Sequence, residues 1–316
     1  MIPLEQRFKE ASESLQTVAD FIRFATSIMA SEEIAFGQGT ATPEDEAFYL
    51  VLCALKLPFT PPESLLAARL LPSEKAYILA LLEKRVGERM PAAYLLKEAW
   101  LCGYRFYVDE HVIIPRSFIG EILTQYWQND DSLSTLTPKR IMDLCTGSGC
   151  LAILAAMTFP YAQIDAVDLS KDALRVAYKN IVFYGLEDRI QLVASDLFQN
   201  VPKSQYDLIL CNPPYVPDAV MTQLPPEFLK EPPLALAGGT EGLDLIMRIF
   251  ADAADYLTDH GLLLLEVGSL RQRLESLFPQ VPFYWVTTTT EDSAVCYLSR
   301  HDLQLLKTTI QNMSEG

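Results

Sequence analysis

The fold follows from the stretch Tyr206-Asp207-Leu208-Ile209-Leu210-Cys211-Asn212-Pro213-Pro214-Tyr215, in which a polar tetrapeptide comes directly after an apolar run. The apolar run predicts a buried strand. We call Asn212–Tyr215 the amide claw: both prolines lack an N–H and have a nearly fixed φ, and Asn212 adds an acceptor and an NH2 donor. The Asn212 side-chain oxygen and the Pro213 carbonyl can together accept both hydrogens of one planar NH2 group. A plain turn is the alternative interpretation, and the tetrapeptide alone does not separate the two.

Downstream of Lys139 the chain alternates predicted strands with predicted helices. The strands are expected at 140–144, 163–167, 190–194, 207–211, 261–267, 283–287 and 294–299, and the helices at 150–158, 171–184, 242–257 and 269–277. This alternation predicts an α/β fold with a mostly parallel sheet covered by helices on both faces. Ligands of such sheets bind beyond the carboxyl ends of the strands.

The amino-terminal part has a helical pattern instead. Helical periodicity or helix-start signals occur at 4–29, 42–57, 62–71 and 73–86. The glycine-bearing stretch 36–40 is predicted to connect two of these helices. Short apolar runs between residues 99 and 114, around Gly103, predict strands of a hairpin, and a helix is expected from Pro115 to about Tyr126. We therefore expect a helical domain at 1–92, a hairpin linker at 93–118 and a sheet domain at 119–316.

Composition excludes several classes of function. The chain has 41 acidic and 25 basic residues, a net charge of −16, and no basic run, so general nucleic-acid binding is not expected. The six cysteines form no C-x-x-C pair, and with three histidines no zinc pattern arises, so we expect no metal. The first residues do not resemble a signal peptide and no apolar run is long enough to span a bilayer, so a cytoplasmic location is expected.

A glycine loop follows the first predicted strand of the sheet, in Asp143-Leu144-Cys145-Thr146-Gly147-Ser148-Gly149-Cys150. Its glycines allow close approach of a ligand to the backbone, and the following helix offers a positive amino terminus. A tight strand–helix turn explains such a glycine pair equally well. The loop lacks the third glycine of G-x-G-x-x-G, which disfavours a dinucleotide.

Two acidic residues follow the next two predicted strands. Asp168, in Asp168-Leu169-Ser170, is placed to accept both ribose hydroxyls of a nucleoside, although capping of the next helix is an alternative. Asp196 can accept the exocyclic NH2 of adenine, with Leu197 or Phe198 packing on the ring, and a loop acid beside core residues is an equally good interpretation.

Taken in chain order, the glycine loop, the two acids and the claw resemble class I S-adenosylmethionine-dependent methyltransferases. The claw narrows the resemblance to enzymes that methylate a planar NH2 group: nucleic-acid amino methyltransferases and HemK-type protein glutamine methyltransferases. The HemK type also has a helical amino-terminal domain, a hairpin and an Ile/Val-Pro-Arg segment, which is matched by Ile114-Pro115-Arg116. Its Glu-Pro…Ala-Leu-x-Gly-Gly-x-x-Gly-Leu motif is matched by Glu231-Pro232-Pro233-Leu234-Ala235-Leu236-Ala237-Gly238-Gly239-Thr240-Glu241-Gly242-Leu243.

Within the HemK type, the chain resembles the PrmB branch, which acts on ribosomal protein L-three, more than the release-factor branch. The features that carry this are Arg116-Ser117-Phe118-Ile119-Gly120-Glu121, Cys145 in place of a glycine, Phe36-Gly37-Gln38-Gly39-Thr40 and Glu98-Ala99-Trp100. Leu197 stands where the release-factor branch often has a tryptophan, so adenine stacking is expected to be weaker or to involve another side chain.

The resemblance implies S-adenosylmethionine as the cofactor, a seven-stranded Rossmann-like sheet, a substrate-recognising helical domain and ribosomal protein L-three as the partner, bound before or during ribosome assembly. The implied catalytic residues are Asn212, Pro213, Pro214 and Tyr215, and the implied cofactor residues are Asp143, Cys145, Thr146, Gly147, Ser148, Gly149, Asp168, Leu169, Asp196, Leu197 and Asn212. Substrate contacts are expected at Asn212, Pro213 and Tyr215, and Arg116 and Glu231 either bind substrate or hold a loop to the sheet. The alternatives are the same reaction on a release-factor glutamine, adenine methylation of nucleic acid, and a non-catalytic binding module.

Overall fold

The computed structural model describes residues 2–130, 133–288 and 294–315. The chain forms two compact units. The helical unit consists of Met1–Ala99 and Leu224–Lys230, and the sheet unit consists of Trp100–Gln223 and Glu231–Gly316. The short segment Leu224–Lys230 therefore belongs to the helical unit, although the chain of the sheet unit flanks it on both sides.

The longer helices of the helical unit each bury an apolar face, whereas the four-residue helix Glu63–Leu66 buries no residue. Its helices are α1 (Leu4–Ser14), α2 (Val18–Ser31), α3 (Pro43–Ala54), α4 (Glu63–Leu66), α5 (Pro72–Gly87) and α6 (Ala92–Leu96). The helical pattern over 4–29 is divided into two helices, because Thr17 caps the amino terminus of α2. The Thr17 hydroxyl accepts a hydrogen bond from the Asp20 N–H at 3.2 Å, and the Asp20 carboxylate accepts one from the Thr17 N–H at 2.8 Å. The apolar faces meet in one core that contains Phe21, Ile28 and Leu50, all fully buried.

The sheet unit contains the seven-stranded sheet that the sequence predicts. After a hairpin of β1 (Ala99–Leu101) and β2 (Tyr104–Phe106), the sheet strands are β3 (Arg140–Leu144), β4 (Gln163–Asp168), β5 (Ile190–Ala194), β6 (Tyr206–Cys211), β7 (Leu257–Glu266), β8 (Tyr284–Trp285) and β9 (Val295–Ser299). Their spatial order is β5-β4-β3-β6-β7-β9-β8. The first five in this order are parallel and the pairs with β9 are antiparallel, which confirms the predicted mostly parallel sheet.

Helices cover both faces of this sheet. The helices of the sheet unit are α7 (Phe118–Glu121, continued by a π-helical turn at Ile122–Tyr126), α8 (Cys150–Thr158), α9 (Lys171–Tyr184), α10 (Asp218–Met221), α11 (Asp244–Asp252), α12 (Arg271–Leu277) and α13 (Arg300–Glu315). Of these, the short α10 buries no residue. Successive residues of β6 belong to opposite cores: Ile209 packs in the cluster with Phe250 of α11, and Leu208 in the cluster with Leu151 of α8. This two-sided burial explains why residues 208–211 of β6 are all apolar instead of alternating.

The structure differs from the sequence-based expectation in further places. The helix expected at 62–71 is only Glu63–Leu66. Residues 112–114 form no strand, because the Ile114 N–H donates to the Glu231 side chain instead of to a ladder (2.9 Å). β7 begins at Leu257, four residues before the predicted start, because Leu257 pairs with Tyr206 across a register shift. Helix α13 was not anticipated; it follows Ser299, whose hydroxyl accepts from the Asp302 N–H at 3.2 Å. Within the described residues, no helix has the length and apolar character needed to cross a membrane.

Candidate active site

Four loops meet at the carboxyl edge of the sheet because β5, β4, β3 and β6 are neighbours and run parallel. Leu144 pairs with both Val167 and Cys211, and Asp168 pairs with Ala194, so the four strands end at the same level. The Thr146 N–H still donates to the Val167 carbonyl at 2.9 Å, and the Ser195 N–H donates to the Asp168 carbonyl at 3.0 Å. The topology therefore brings the glycine loop, both acidic loops and the claw side by side.

The glycine loop needs its two glycines for different reasons. Gly147 has a φ of +54°, and a methyl group there would meet only Ile113 Cγ2, at 3.8 Å, so the space above it is open. Gly149 has a φ of +78°, and a methyl group there would lie 3.1 Å from the Ala177 side chain of α9. Cys145 adopts the same left-handed region with a φ of +63° although it is not glycine. Gly147 is thus the position where a ligand can approach the backbone closely.

Asp143 supports this loop from below. It is completely buried, and one of its carboxylate oxygens (Oδ2) accepts hydrogen bonds from the Thr146 hydroxyl and, at 3.0 Å, from the Ala152 N–H in the first turn of α8. Burial raises the pKa of Asp143 to about 7. Its other oxygen, Oδ1, is buried and has no hydrogen-bond partner in the described part of the chain. Oδ1 can therefore accept a hydrogen bond from a group of a ligand that is held at the loop.

Asp168 is fixed at the end of β4 by two backbone donors. The Gly147 N–H donates to Oδ2 at 2.9 Å, and the Ser170 N–H donates to Oδ1 at 2.8 Å. Burial raises the pKa of this carboxyl group above its usual range. Ser170, not Asp168, caps α9, since the Ser170 hydroxyl accepts from the Ala173 N–H at 3.1 Å. Both oxygens of Asp168 keep a free acceptor direction, and the neighbouring Leu169 is 55% exposed.

The third loop contains an ion pair that the sequence does not reveal. The Asp196 carboxylate forms an ion pair with Arg248 of α11, with 2.8 Å between the Oδ2 and Nη2 atoms. Leu197 has a φ of +49° and is only 5% exposed, so it forms a buried wall. The Phe198 ring stacks on Tyr256 in the core at 4.7 Å between ring centroids, so it does not serve as an exposed stacking surface. Arg248 was missed because its helix lies far downstream and nothing near it in sequence marks a partner.

The claw extends from the end of β6. Asn212 is partly buried, and among the residues that the structure describes none hydrogen bonds to its side chain. The chain that leaves the claw pairs with the downstream glycine segment. The Val216 N–H donates to the Leu236 carbonyl at 2.8 Å, the Gly238 N–H donates to the Val216 carbonyl at 2.8 Å, and the Asp218 N–H donates to the Gly239 carbonyl at 3.0 Å. The chain directly after the claw is thus held by main-chain hydrogen bonds, while the Asn212 side-chain amide remains available.

Three glycines make room for Tyr215. A methyl group at Gly238 would lie 2.7 Å from the Tyr215 Cα, one at Gly242 would lie 2.4 Å from the Tyr215 carbonyl oxygen, and one at Gly268 would lie 2.5 Å from Cε2 of the Tyr215 ring. No real methyl group tolerates such distances. Gly238 and Gly242 of the glycine-rich motif are therefore explained by their close packing on the claw tyrosine.

Glu266 is a buried acid beside the claw that the sequence did not reveal. It ends β7, which neighbours β6, and it is 3% exposed. One of its oxygens (Oε2) accepts from the Ser117 hydroxyl at 2.6 Å and from the Phe118 N–H at 3.0 Å, and Oε1 lies 3.5 Å from the Tyr215 hydroxyl. Burial raises the pKa of Glu266 to about 7. A single acid at the end of the apolar run 262–267 was the signal available in the sequence.

Arg116 and Glu231 pair with each other. The Arg116 guanidinium donates to both Glu231 oxygens, at 2.5 and 2.8 Å, and the Ile114 N–H adds a third bond at 2.9 Å. Glu231 is 2% exposed, and both of its oxygens are occupied. Of the two roles that the sequence left open, this geometry favours holding the loop over contacting a substrate.

Several known proteins are similar to this chain. The sequence model of the family described as Methyltransferase small domain matches residues 130–239. A ribosomal protein uL3 glutamine methyltransferase from Bordetella pertussis is 48% identical over 294 residues, which cover 92% of this chain and 97% of that protein. The corresponding protein of Neisseria gonorrhoeae is 47% identical over 299 residues, covering 94% and 98%. Among solved structures, a methyltransferase from Pyrococcus furiosus is 15% identical, with a TM-score of 0.42, covering 73% of this chain and 99% of that one.

Proposed function

The chain belongs to the family of the ribosomal protein uL3 glutamine methyltransferases, and from this membership we propose that it methylates the side-chain amide nitrogen of a glutamine in uL3, with S-adenosylmethionine as the methyl donor. It is a methyltransferase with the mostly parallel, seven-stranded sheet that its sequence led us to expect. The relatives' names agree with the L-three branch of the sequence resemblance and not with the release-factor branch.

The donor fits the three loops at β3, β4 and β5. Gly147 offers an open backbone surface, the Asp168 carboxylate is already oriented by two backbone N–H groups, and the unpaired Oδ1 of Asp143 lies beneath the loop. We assign Asp168 to the ribose hydroxyls, and Leu169 and Leu197 to the walls around the adenine. Cys145, Thr146, Ser148 and Gly149 shape the loop that holds the amino-acid end of the donor. When bound, S-adenosylmethionine supplies a methyl group on a sulfonium, which is activated for displacement.

The claw solves the problem of a weak nucleophile. An amide nitrogen shares its lone pair with the carbonyl and attacks poorly. The Asn212 oxygen and the Pro213 carbonyl accept hydrogen bonds from the two N–H groups of the glutamine amide, orient its nitrogen and favour the positive charge that develops on it. The nitrogen gains the methyl group and then loses one of its two protons to solvent, so the products are a neutral N-methyl amide and S-adenosylhomocysteine. The availability of the Asn212 side chain, which makes no hydrogen bond within the described residues, carries this assignment. Pro214 fixes the direction of the claw, and Tyr215 packs along the amide.

The charge of the chain suits a protein partner better than a nucleic acid. A net charge of −16 attracts a basic ribosomal protein and repels phosphate backbones. We therefore place the reaction in the cytoplasm on uL3 that is not yet covered by ribosomal RNA. The helical unit is the part that we assign to recognition of the protein substrate.

The experiment that tests the proposal offers purified uL3, a peptide-chain release factor and duplex DNA separately to the enzyme with methyl-labelled S-adenosylmethionine. We expect label in uL3 alone, and mass spectrometry of its peptides to find one added CH2 group on a glutamine side chain. Label in the release factor, or label in DNA that competes with uL3, would overturn the assignment of substrate.

A further inference from the structure

The segment Leu224–Lys230 begins shortly after the claw, yet it is built into the helical unit. The residues before it, 218–223, are mostly exposed and contain the short helix α10. We call 218–223 the arch. One end of the arch is fixed where the Asp218 N–H donates to the Gly239 carbonyl at 3.0 Å. Whatever holds Leu224–Lys230 therefore fixes its other end.

Glu227 is the residue that holds this segment. It is completely buried, and one carboxylate oxygen (Oε1) accepts from the Ala35 N–H at 3.3 Å and from Arg89 at 3.2 Å. The same oxygen lies 3.6 Å from Nη1 of Arg85, which is 1% exposed. The main-chain carbonyl of Glu227 accepts from the side-chain amide of Gln38 at 3.3 Å. Four groups of the helical unit thus converge on one residue.

The stretch Phe36-Gly37-Gln38-Gly39-Thr40 does more than connect α2 to α3. The Gly37 N–H donates to the Thr40 carbonyl at 2.8 Å, and Gly37 and Gly39 have φ angles of +111° and +103°, which closes a tight loop that only glycine forms without strain. This loop directs Gln38 inward, where it is 7% exposed. A methyl group on Gly37 would lie 3.4 Å from the Phe228 ring, so the loop also packs against the held segment.

The charges around Glu227 balance, and all of them are buried except that of Arg89, whose side chain is 31% exposed. Arg85 and Arg89 face Glu46 and Glu227, and Glu46, on α3, is the second carboxylate paired with Arg85. Removal of one member of a buried ionic cluster leaves its partner charged and unpaired, which is strongly unfavourable. Departure of the segment from the helical unit would expose this imbalance, so the segment is held firmly.

We propose that Glu227 is a positioning residue: through Gln38, Arg85 and Arg89 it ties the far end of the arch to the helical unit and so restrains residues 218–223, which contact the protein that carries the target glutamine. This inference rests on the proposed function, since it takes the bound molecule to be a protein chain that extends beyond the claw. The arch begins three residues after Tyr215, so it is close in sequence to the claw that holds the target glutamine.

The test compares Glu227→Gln with Glu46→Gln. Both variants remove a buried carboxylate from Arg85, but only Glu227 belongs to the segment that ends the arch. Three quantities are measured: amide hydrogen exchange of 218–223, the KM for the protein substrate, and the affinity for S-adenosylmethionine. For Glu227→Gln we expect exchange in the arch and the KM each to rise about tenfold, within the range of couplings carried by packed side chains, with donor affinity unchanged. For Glu46→Gln we expect a similar loss of thermal stability without either change.

The inference would be overturned if the two variants showed the same exchange in the arch and the same KM. It would also be overturned if exchange in the arch of Glu227→Gln were unchanged from the wild type. Gln38→Ala is the second variant, in case Glu227→Gln does not fold; it removes one hydrogen bond and no charge, and should raise exchange of the arch to a smaller extent. The exchange measurement needs no substrate. If the wild-type enzyme fails to methylate uL3, the proposed function is wrong, while the comparison of exchange still decides the role of Glu227.

Discussion

Replacing Gly238 with alanine tests whether the glycine motif holds the claw tyrosine in place. A methyl group on Gly238 would lie 2.7 Å from the Tyr215 Cα and 2.8 Å from the Gly242 carbonyl oxygen, and both are main-chain atoms that no rotamer change can move away. The φ angle of Gly238 does not lie in the left-handed region, so alanine adds no backbone strain there. In the folded state the substitution therefore acts through crowding. Ordinary contact begins at 3.4 Å, and Tyr215 must therefore shift by about 0.7 Å, the difference from 2.7 Å.

This shift sets the expected magnitude. Overpacking of this kind destabilises a protein by about 1–3 kcal/mol. A displacement near 1 Å in a catalytic constellation lowers the rate by roughly a hundredfold, so we expect methyl transfer by Gly238→Ala to slow by roughly ten- to hundredfold. The donor loops are on other strands, so affinity for S-adenosylmethionine should remain at the wild-type value.

Three measurements separate these effects. Single-turnover methylation gives the rate of methyl transfer, calorimetric titration gives the affinity for S-adenosylmethionine, and thermal unfolding gives the stability. Gly87→Ala is the matched control: Gly87 ends α5, and a methyl group there would have no atom within 4 Å. The control should keep full activity and gain up to about 1 kcal/mol of stability from the better helix former. The reasoning is refuted if Gly238→Ala transfers methyl groups at the wild-type rate, or if it loses donor affinity as strongly as turnover.

Three further predictions concern the donor loop, the ion pair and the buried acid. Gly147→Ala puts a methyl group at a φ of +54° and into the open space where a ligand approaches the loop. It should weaken binding of S-adenosylmethionine at least about tenfold, while turnover at saturating methyl donor changes less. Calorimetric titration checks this, and an unchanged affinity would contradict it. Arg116→Met leaves the buried Glu231 carboxylate without its charged partner and should lower the free energy of unfolding by about 3–5 kcal/mol. In urea unfolding, the double variant Arg116→Met/Glu231→Gln should regain part of this loss. If it regains none, the pair does not serve to hold the loop. Because burial raises the pKa of Glu266 to about 7, from 4.5 as an ordinary value, the folded state keeps a proton that the unfolded chain releases, so this carboxyl group stabilises the protein less as pH rises through that window. The stability of the wild type relative to Glu266→Gln should therefore fall between about pH 4.5 and 7, by at most about 1.4 kcal/mol per pH unit, and a difference independent of pH would show that Glu266 titrates normally.

The sheet and its loops were predictable because their signals are local. An apolar run buried on both faces, such as 208–211, marks a central strand without knowledge of its neighbours, and glycines or acids directly after such runs mark the carboxyl edge. The strand expected at 112–114 was wrong because its apolar side chains are buried while its backbone bonds to a side chain, Glu231, which the local pattern does not record.

Side-chain partners that come from distant parts of the chain were not predictable. Arg248 reaches Asp196 from α11, and Glu266 reaches Ser117 from β7, each across a long separation in sequence. The contact of Gln38 with Glu227 joins residues 189 positions apart. The sequence contained the Phe36–Thr40 motif, but only the fold shows that it receives the segment after the claw.

The central claim is that the claw orients a poorly nucleophilic amide, and Asn212→Ala in single-turnover methylation tests it most directly. Since no described residue hydrogen bonds to the Asn212 side chain, the variant should fold and bind S-adenosylmethionine as the wild type does. Loss of one preorganised acceptor at the transition state should slow methyl transfer to uL3 by roughly a hundredfold, about 3 kcal/mol. Transfer at the wild-type rate by a variant that binds donor normally would contradict the account.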